Sequence, residues 1–571
     1  MSYRAPVKEM TFYLEHVLNA GRLADTARFS EATPDMAEAI LGEAARLSED
    51  ILTPLNREGD LHPAKLENGV TRCSPGFDAG YKAIAEGGWV GMAGDPEFGG
   101  MGLPLTLVSC VGEMMSSACL SLSLNPLMTQ GQIEALEHHA SDEIKALYLP
   151  KLTSGAWTGT MNLTEAGAGS DVGALRSKAV ANGDGTYAVS GQKIFISWGD
   201  HDVAENICHL VLARLPDAVA GTKGISLFLV PKYIPDADGN PGAANNARPI
   251  SLEHKMGLHG SPTAIMEFDG ATGWMIGAES GGMAAMFTMM NNARIGVGVQ
   301  GLSQAEGALQ KAVEFALERK QGRSPVEGGT GSILDHADVR RNIMTMKALT
   351  SSARAIILDA AVSIDLSKAL DGDEAAQHAA RGAFLTPIAK AFGTDTGCEV
   401  AEIGVQVHGG MGYIEETGAA QFYRDVRVTA IYEGTNGIQA MDMVGRKLMD
   451  GGAAAFGLLG EISLTAALAE ESAPDLAAFL ASAEMSLNAT THWMCDADMN
   501  DRFAGAVPYL RAFALALGGH YLLKAALLDA ARMPLARFHI RQLVQQVDAL
   551  CCAAREGATT LYALDADALS A

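Results

Sequence analysis

From residue 179 to residue 196 the chain reads Ala179-Val180-Ala181-Asn182-Gly183-Asp184-Gly185-Thr186-Tyr187-Ala188-Val189-Ser190-Gly191-Gln192-Lys193-Ile194-Phe195-Ile196. Asn-Gly and Asp-Gly stand between runs rich in Val, Ile, Phe and Tyr. Such dipeptides supply the positive φ angles of a hairpin turn, so this stretch predicts paired strands. The same texture extends over 157–268, with further strands predicted at 209–214, 224–230 and 264–268. On both sides the period changes. Met36, Ile40, Ala44, Leu47 and Ile51 recur at three- and four-residue steps behind Thr33-Pro34, a helix cap and first-turn proline. Ile295, Val299, Leu302, Ala305, Leu309, Val313 and Leu317 form a longer helical stripe, and 332–367 and 373–407 extend it into a bundle. The expected fold is mostly α with an inserted antiparallel β domain. Its parts are an N-terminal helical domain (1–155), the β domain (156–280), a helical bundle (281–450) and an additional C-terminal helical block (451–571).

Composition bounds the function. A chain of 571 residues with 48% apolar and 19% charged content is globular and too long for one ordinary core. A net charge of −25 argues against nucleic acid and anionic membrane as partners. The eight cysteines form no CxxC or metal-ligand run, so reduced thiols, a cytoplasmic location and no metal site are expected. The opening MSYRAPVKEMTFYLEHV lacks the apolar core of a signal peptide. The stretch 511–524, read as the longest strongly apolar run, is too short to span a bilayer, so no membrane insertion is expected.

Five stretches carry chemistry. In Ala430-Ile431-Tyr432-Glu433-Gly434-Thr435-Asn436-Gly437-Ile438-Gln439, Glu433 has few charged neighbours along the chain. Partial desolvation raises such a carboxylate toward neutral pH and makes it a base; equally, a loop Glu can cap or solvate the following helix. Leu163-Thr164-Glu165-Ala166-Gly167-Ala168-Gly169-Ser170-Asp171 offers small residues, hydroxyls and amides to a closely approaching ligand. Lys193-Ile194-Phe195-Ile196-Ser197-Trp198-Gly199 places an aromatic and a hydroxyl two residues apart, on one face of a regular strand. Gln406-Val407-His408-Gly409-Gly410-Met411-Gly412-Tyr413 suits a tight turn or a close backbone approach. Ala316-Leu317-Glu318-Arg319-Lys320 puts a basic pair at a helix end, where it complements the dipole or holds a pyrophosphate.

In this order the stretches resemble the acyl-CoA dehydrogenase superfamily. The motifs LTEAGAGSD, KIFISWG, LERK, QVHGGMGY and YRDVRVTAIYEGTNGIQ carry the likeness, with HASDEIKALYLPKL and HKMGLHGSPTAIMEF in support. The N-terminal segment and the block after about 455 look like the larger bacterial branch that includes 3-methylmercaptopropionyl-CoA dehydrogenase. The resemblance implies FAD bound between β domain and bundle, with Thr164, Ser170, Phe195, Ser197, Arg319, Gln406, Gly409, Gly410, Thr435 and Asn436 as contacts. It implies acyl-CoA contacts at Ser170, Asn291, Arg294 and Gly434, and Glu433 as catalytic base. The family's other base position falls on Ala293, which cannot act. The loop after Arg319, KQGRSPVEGGTGS, departs from the family pattern, as does Ala337 after Asp335-His336.

The implied reaction is α,β-dehydrogenation of a short acyl-CoA, with 3-(methylthio)propionyl-CoA as the expected substrate and a general short- or medium-chain acyl-CoA as the alternative. An electron-transfer flavoprotein is the expected acceptor, and a homodimer or dimer of dimers the expected assembly. Competing readings are an acyl-CoA oxidase, a flavin-free scaffold, and a DNA-associated relative; the last needs a basic C-terminal face, whereas 455–571 is net acidic.

Overall fold

The computed structural model describes residues 3–571; the side chains of Asn291 and Asn292 lie outside the described residues. The helix Pro34–Arg46 starts as its sequence predicts: the Thr33 hydroxyl accepts from the Met36 N–H at 3.3 Å and Pro34 occupies the first turn. The N-terminal region is not purely helical. Lys65–Glu67 and Val70–Arg72 pair around Asn68-Gly69, both with positive φ. This is the hairpin signal again, hidden because each strand is only three residues long.

Helix α1, Leu105–His139, is broken at Cys119 (φ −157°, ψ 89°) and runs as two arms. By length and composition α1, rather than 511–524, is the stretch apolar enough to cross a bilayer, yet 89% of its apolar window is buried inside the protein. It is a core helix. Helix α2, Asp142–Thr153, follows its Ser141 cap.

The β domain comprises β1 (Trp157–Asn162), β2 (Lys178–Ala181), β3 (Tyr187–Ser197), β4 (Asn206–Arg214), β5 (Ile225–Pro231), β6 (Ala247–Leu252) and β7 (Thr263–Ile276). The order is β6-β7-β3-β2-β4-β1, and β5 pairs with both β4 and β7, rolling the sheet toward closure. Pairing is antiparallel apart from β1, which runs parallel to β4 from Trp157–Asn206 to Asn162–Val211, and a single parallel bridge between β2 and β4. The chain between β1 and β4 is long enough for the crossover that parallel pairing needs. Val189, Val211, Phe228, Val230 and Phe268 fill the domain's own core.

Helices α3 (Gly282–Glu318), α4 (Ala337–Ala369) and α5 (Gly372–His408) form the bundle. α3 and α5 touch backbone to backbone: a Cβ on Gly301 would stand 2.4 Å from the Gly393 carbonyl oxygen, and one on Gly397 2.5 Å from that of Gly301. The helices cross this closely only because neither carries a side chain there. Of the helical stripe, Ile295 to Leu309 is buried, whereas Leu317 is exposed near the end of α3. Beneath the bundle, Arg354 of α4 is fully buried between Glu113 (Nε–Oε1 3.0 Å) and Glu306 (NH2–Oε2 2.7 Å), tying α1, α3 and α4.

The short helix α6, Asn436–Arg446, leads to the C-terminal block of α7 (Ala453–Ala469), α8 (Pro474–Asp496) and α9 (Met499–Leu528). Arg381 joins the block to the bundle by pairing with Asp359 (2.7 Å) and Glu461, while the Tyr521 hydroxyl donates to Asp359.

Candidate active site

The loop between the 3₁₀ turn Arg427–Ala430 and α6 carries Glu433 in a left-handed conformation (φ 55°), followed by Gly434 at φ 83°. Few non-glycine residues adopt this backbone, and it persists only where the surroundings impose it. Three contacts do so. The Gln439 amide donates to the carbonyls of Glu433 (3.1 Å) and Gly434 (3.4 Å). The Thr435 hydroxyl caps α6 by accepting from Ile438 N–H at 3.3 Å. Asn436 is held by α5: its Oδ1 accepts from Lys390 Nζ (2.8 Å), and its Nδ2 donates to Asp395 (2.6 Å).

Burial pushes Glu433 up to about 7, with Arg294 and Lys390 pulling it back down. Lys390 is buried and its ammonium falls to about 8 by the same desolvation. Arg294 NH1 donates to Asp442 at 3.3 Å, and its Nε has no partner among the described residues. The Glu433 backbone N–H donates to no protein acceptor among the described residues. The site thus joins a half-desolvated carboxylate, two nearby cations and a free backbone donor.

A cavity of about 620 Å³ lies between the arms of α1 and α3, with Leu127, Gly131, Met289, Ala293, Val299 and Gln300 in its wall. Tyr432, next to Glu433, donates its hydroxyl to Gln300 Oε1. The carboxylate loop is thus hydrogen-bonded to the cavity wall.

The second group of expected residues gathers on the β domain. Ile194 N–H donates to Thr164 C=O at 2.9 Å, bringing the small-residue loop against β3. Glu165, to which the sequence reading assigned no role, braces this loop. It pairs with buried Lys193 at 2.8 Å and accepts from Ser177 N–H and Oγ. Burial alternates from exposed Phe195 through buried Ile196 to half-buried Ser197, as one face of a strand requires. A bulge sets Ile194 and Phe195 opposite Ile265 alone, Phe195 takes φ 59°, and its ring is 60% exposed. Trp198 is fixed behind them by its indole N–H to Ser121 C=O at 3.1 Å. Ser170 is exposed on the loop.

The third group lies where α3 and α5 end. Phe315 stacks on His408 at 4.5 Å between centroids, which sets exposed Arg319 beside exposed Gln406, Gly409 and Gly410. Among the described residues no hydrogen bond or ion pair joins this group to the other two. Asn291 lies on α3, with its side chain outside the described residues.

An elongated flavin nucleotide suits these surfaces. A Cβ on Gly167, Gly169, Gly409 or Gly410 would meet nothing within 4 Å, leaving open cradles beside backbone amides. An aromatic ring as exposed as Phe195 gains from being covered by a flat partner. Arg319, exposed at the end of α3, is a cation able to pair with a phosphate.

The fold and these surfaces define a flavin-dependent dehydrogenase of acyl thioesters, and the chain belongs to the acyl-CoA dehydrogenase family. The family's N-terminal domain matches residues 38–156, its middle domain 160–271 and its C-terminal domain 280–449. An acetyl-CoA dehydrogenase C-terminal-like domain matches 458–565. The chain is 44% identical over 523 residues to the 3-methylmercaptopropionyl-CoA dehydrogenase of Ruegeria pomeroyi, covering 89% of this chain and 88% of that one. Its fold is that of Caenorhabditis elegans ACDH-11, solved with C11-CoA (TM-score 0.78, 21% identity, 96% of this chain and 91% of that chain). It is also that of a Bacillus anthracis acyl-CoA dehydrogenase complexed with FAD (TM-score 0.74, 19% identity, 93% and 90%). The protein is an FAD-dependent oxidoreductase acting on acyl-CoA.

Proposed function

We propose that the protein dehydrogenates a short acyl-CoA between its α and β carbons, with 3-(methylthio)propionyl-CoA as the preferred substrate and Glu433 as the base. The observation that carries this reading is the Glu433 loop: a carboxylate raised to about 7 beside its own unpaired backbone N–H. An α-proton of a thioester is a poor acid. A donor on the thioester oxygen stabilises the developing enolate; one such donor is worth about 2.7–4 kcal/mol in acyl chemistry. The Glu433 N–H is free for that task, and its carboxylate, ionised above about pH 7, takes the α-proton. Arg294 and Lys390 stabilise the ionised form without a direct ion pair to it. Thr164, Ser170, Phe195 and Ser197 would hold the flavin end of FAD, and Arg319, Gln406, Gly409 and Gly410 its pyrophosphate and adenosine end, across a subunit boundary. When bound, FAD supplies the acceptor for the β-hydride. Gly434, Asn291 and Arg294 would contact the thioester and CoA. Thr435 and Asn436 would meet FAD through the backbone at the start of α6, since their side chains are engaged in capping and in α5.

The 44% identity over most of both chains supports the methylthio substrate. The cavity volume favours a second reading, a broader medium-chain specificity, because about 620 Å³ far exceeds the needs of a five-atom chain. Comparing kcat/KM on methylthiopropionyl-, butyryl- and octanoyl-CoA separates them. Preference for the first supports the proposal; a tenfold or greater preference for octanoyl-CoA replaces it with the second. An electron-transfer flavoprotein is the proposed acceptor. Rapid oxidation of the reduced enzyme by air instead identifies an oxidase.

A further inference from the structure

The cavity contains an amide with an unused donor. Gln300, on α3, is only 2% exposed and stands in the cavity wall. Tyr432 occupies its Oε1 by donating a hydroxyl hydrogen. Its Nε2 donates to no acceptor among the described residues, although the neighbouring Gln304 Nε2 is satisfied by Ser116 C=O at 2.9 Å. An amide donor shut away from water without an acceptor is costly. A hydrocarbon chain filling the cavity displaces water from that donor and gives nothing back. A chain carrying a hetero-atom relieves the cost.

The position of the amide is defined by its tether. Tyr432 immediately precedes Glu433, so the Tyr432–Gln300 bond fixes the amide within one side chain of the base loop. A hetero-atom one bond beyond the β-carbon lies a few bonds from the carbon that Glu433 deprotonates. Between Gln300 and Ala293 on α3 the wall is closed by Leu127, which packs against Gly296 closely enough that a Cβ there would stand 2.8 Å from it.

We propose that Gln300 is a specificity-determining residue that selects acyl chains bearing a hydrogen-bond acceptor, a thioether sulfur or an ether oxygen, over their all-carbon isosteres. This rests on the reading of Glu433 as the base and of the cavity as the acyl site. Thioether sulfur is a weak acceptor, so selection over the isosteric pentanoyl chain is about tenfold for sulfur and larger for oxygen.

The test uses the FAD-loaded full-length protein and three thioesters: 3-(methylthio)propionyl-, 3-methoxypropionyl- and pentanoyl-CoA. The wild type is expected to prefer both hetero-atom substrates in kcat/KM. Gln300→Leu is expected to bring both ratios to about one; since it also removes the acceptor of the Tyr432 hydroxyl, the ratios and not the absolute rates are the readout. Gln300→Met serves as a second variant of nearly conserved volume, and flavin absorbance with thermal melting verifies folding of both. Calorimetric titration of the same thioesters into Glu433→Gln, with and without Gln300→Leu, reads the preference as binding without turnover. Ratios that stay the same in both variants, or a wild type that favours pentanoyl-CoA, overturn the role of Gln300. Turnover of none of the three overturns the underlying reaction assignment instead, and the titration then decides on Gln300 by itself.

Discussion

Glu433 shows what one residue's surroundings do to its chemistry. In water a glutamate is ionised throughout the neutral range and is a weak base. Here burial raises it to about 7, against the pull of Arg294 and Lys390. As a base it works only when deprotonated, so kcat/KM is expected to rise with pH and level off above about 7. Lys390→Met removes one of the two cations that favour the ionised form. It is expected to move that rise to higher pH, by up to about one unit, while kcat at the plateau falls less; a pH–rate profile reads both. The same shift has a stability consequence. The folded protein holds the Glu433 proton more tightly than the unfolded chain, so this residue's contribution is full below the unfolded value and is lost as pH rises through about 7. Glu433→Gln is therefore expected to melt at an equal or higher temperature than the wild type at pH 8, and a lower one would contradict the burial argument. Legibility at this scale was uneven. The apolar flank of Glu433 hinted at a raised base. The amide of Gln439, the lysine of α5 and the unpaired Gln300 donor come from elsewhere in the chain, and no local pattern could reveal them. The left-handed backbone at Phe195 was missed for a different reason: a bulge leaves no reliable mark in five residues.

At the scale of elements, the long amphipathic helices and the turn-punctuated strands were legible because period and turn chemistry are local. The break of α1 at Cys119 and the parallel pairing of β1 were not, since neither has a local signal: one answers to packing of two helical arms, the other to topology. Buried charge also belongs to this scale. Arg354 ties three helices through Glu113 and Glu306 with no exposure to solvent. Removing one partner leaves uncompensated buried charge, so Arg354→Met is expected to cost about 3–5 kcal/mol in denaturant unfolding, with turnover lost only as the fold is lost. A loss under about 1 kcal/mol would mean that the carboxylates simply protonate. Gly301 makes a packing prediction: Gly301→Val forces α3 and α5 apart at their backbone contact. About 1–3 kcal/mol of destabilisation is expected, together with reduced activity, because Thr394 on that contact hydrogen-bonds Asn436.

Across the whole molecule, the three groups of residues proposed to hold one cofactor lie on different elements, and among the described residues no hydrogen bond or ion pair joins the third to the other two. The third, Arg319 with Gln406, Gly409 and Gly410, stands exposed at the helix ends. We propose that a subunit partner covers that surface, so sedimentation is expected to show no monomer at micromolar concentration. Arg319→Gln is expected to release FAD on dilution at least tenfold more readily than wild type. The motifs were readable along the chain as separate stretches; which of them meet in space was not readable. The central claim is that Glu433 takes the α-proton, and anaerobic mixing with 3-(methylthio)propionyl-CoA at pH 8 tests it most directly. The wild-type flavin is expected to bleach within the dead time or shortly after, while Glu433→Gln keeps its yellow colour, binds the thioester and bleaches about 10²–10⁴-fold more slowly. Bleaching of the variant at the wild-type rate would contradict the account.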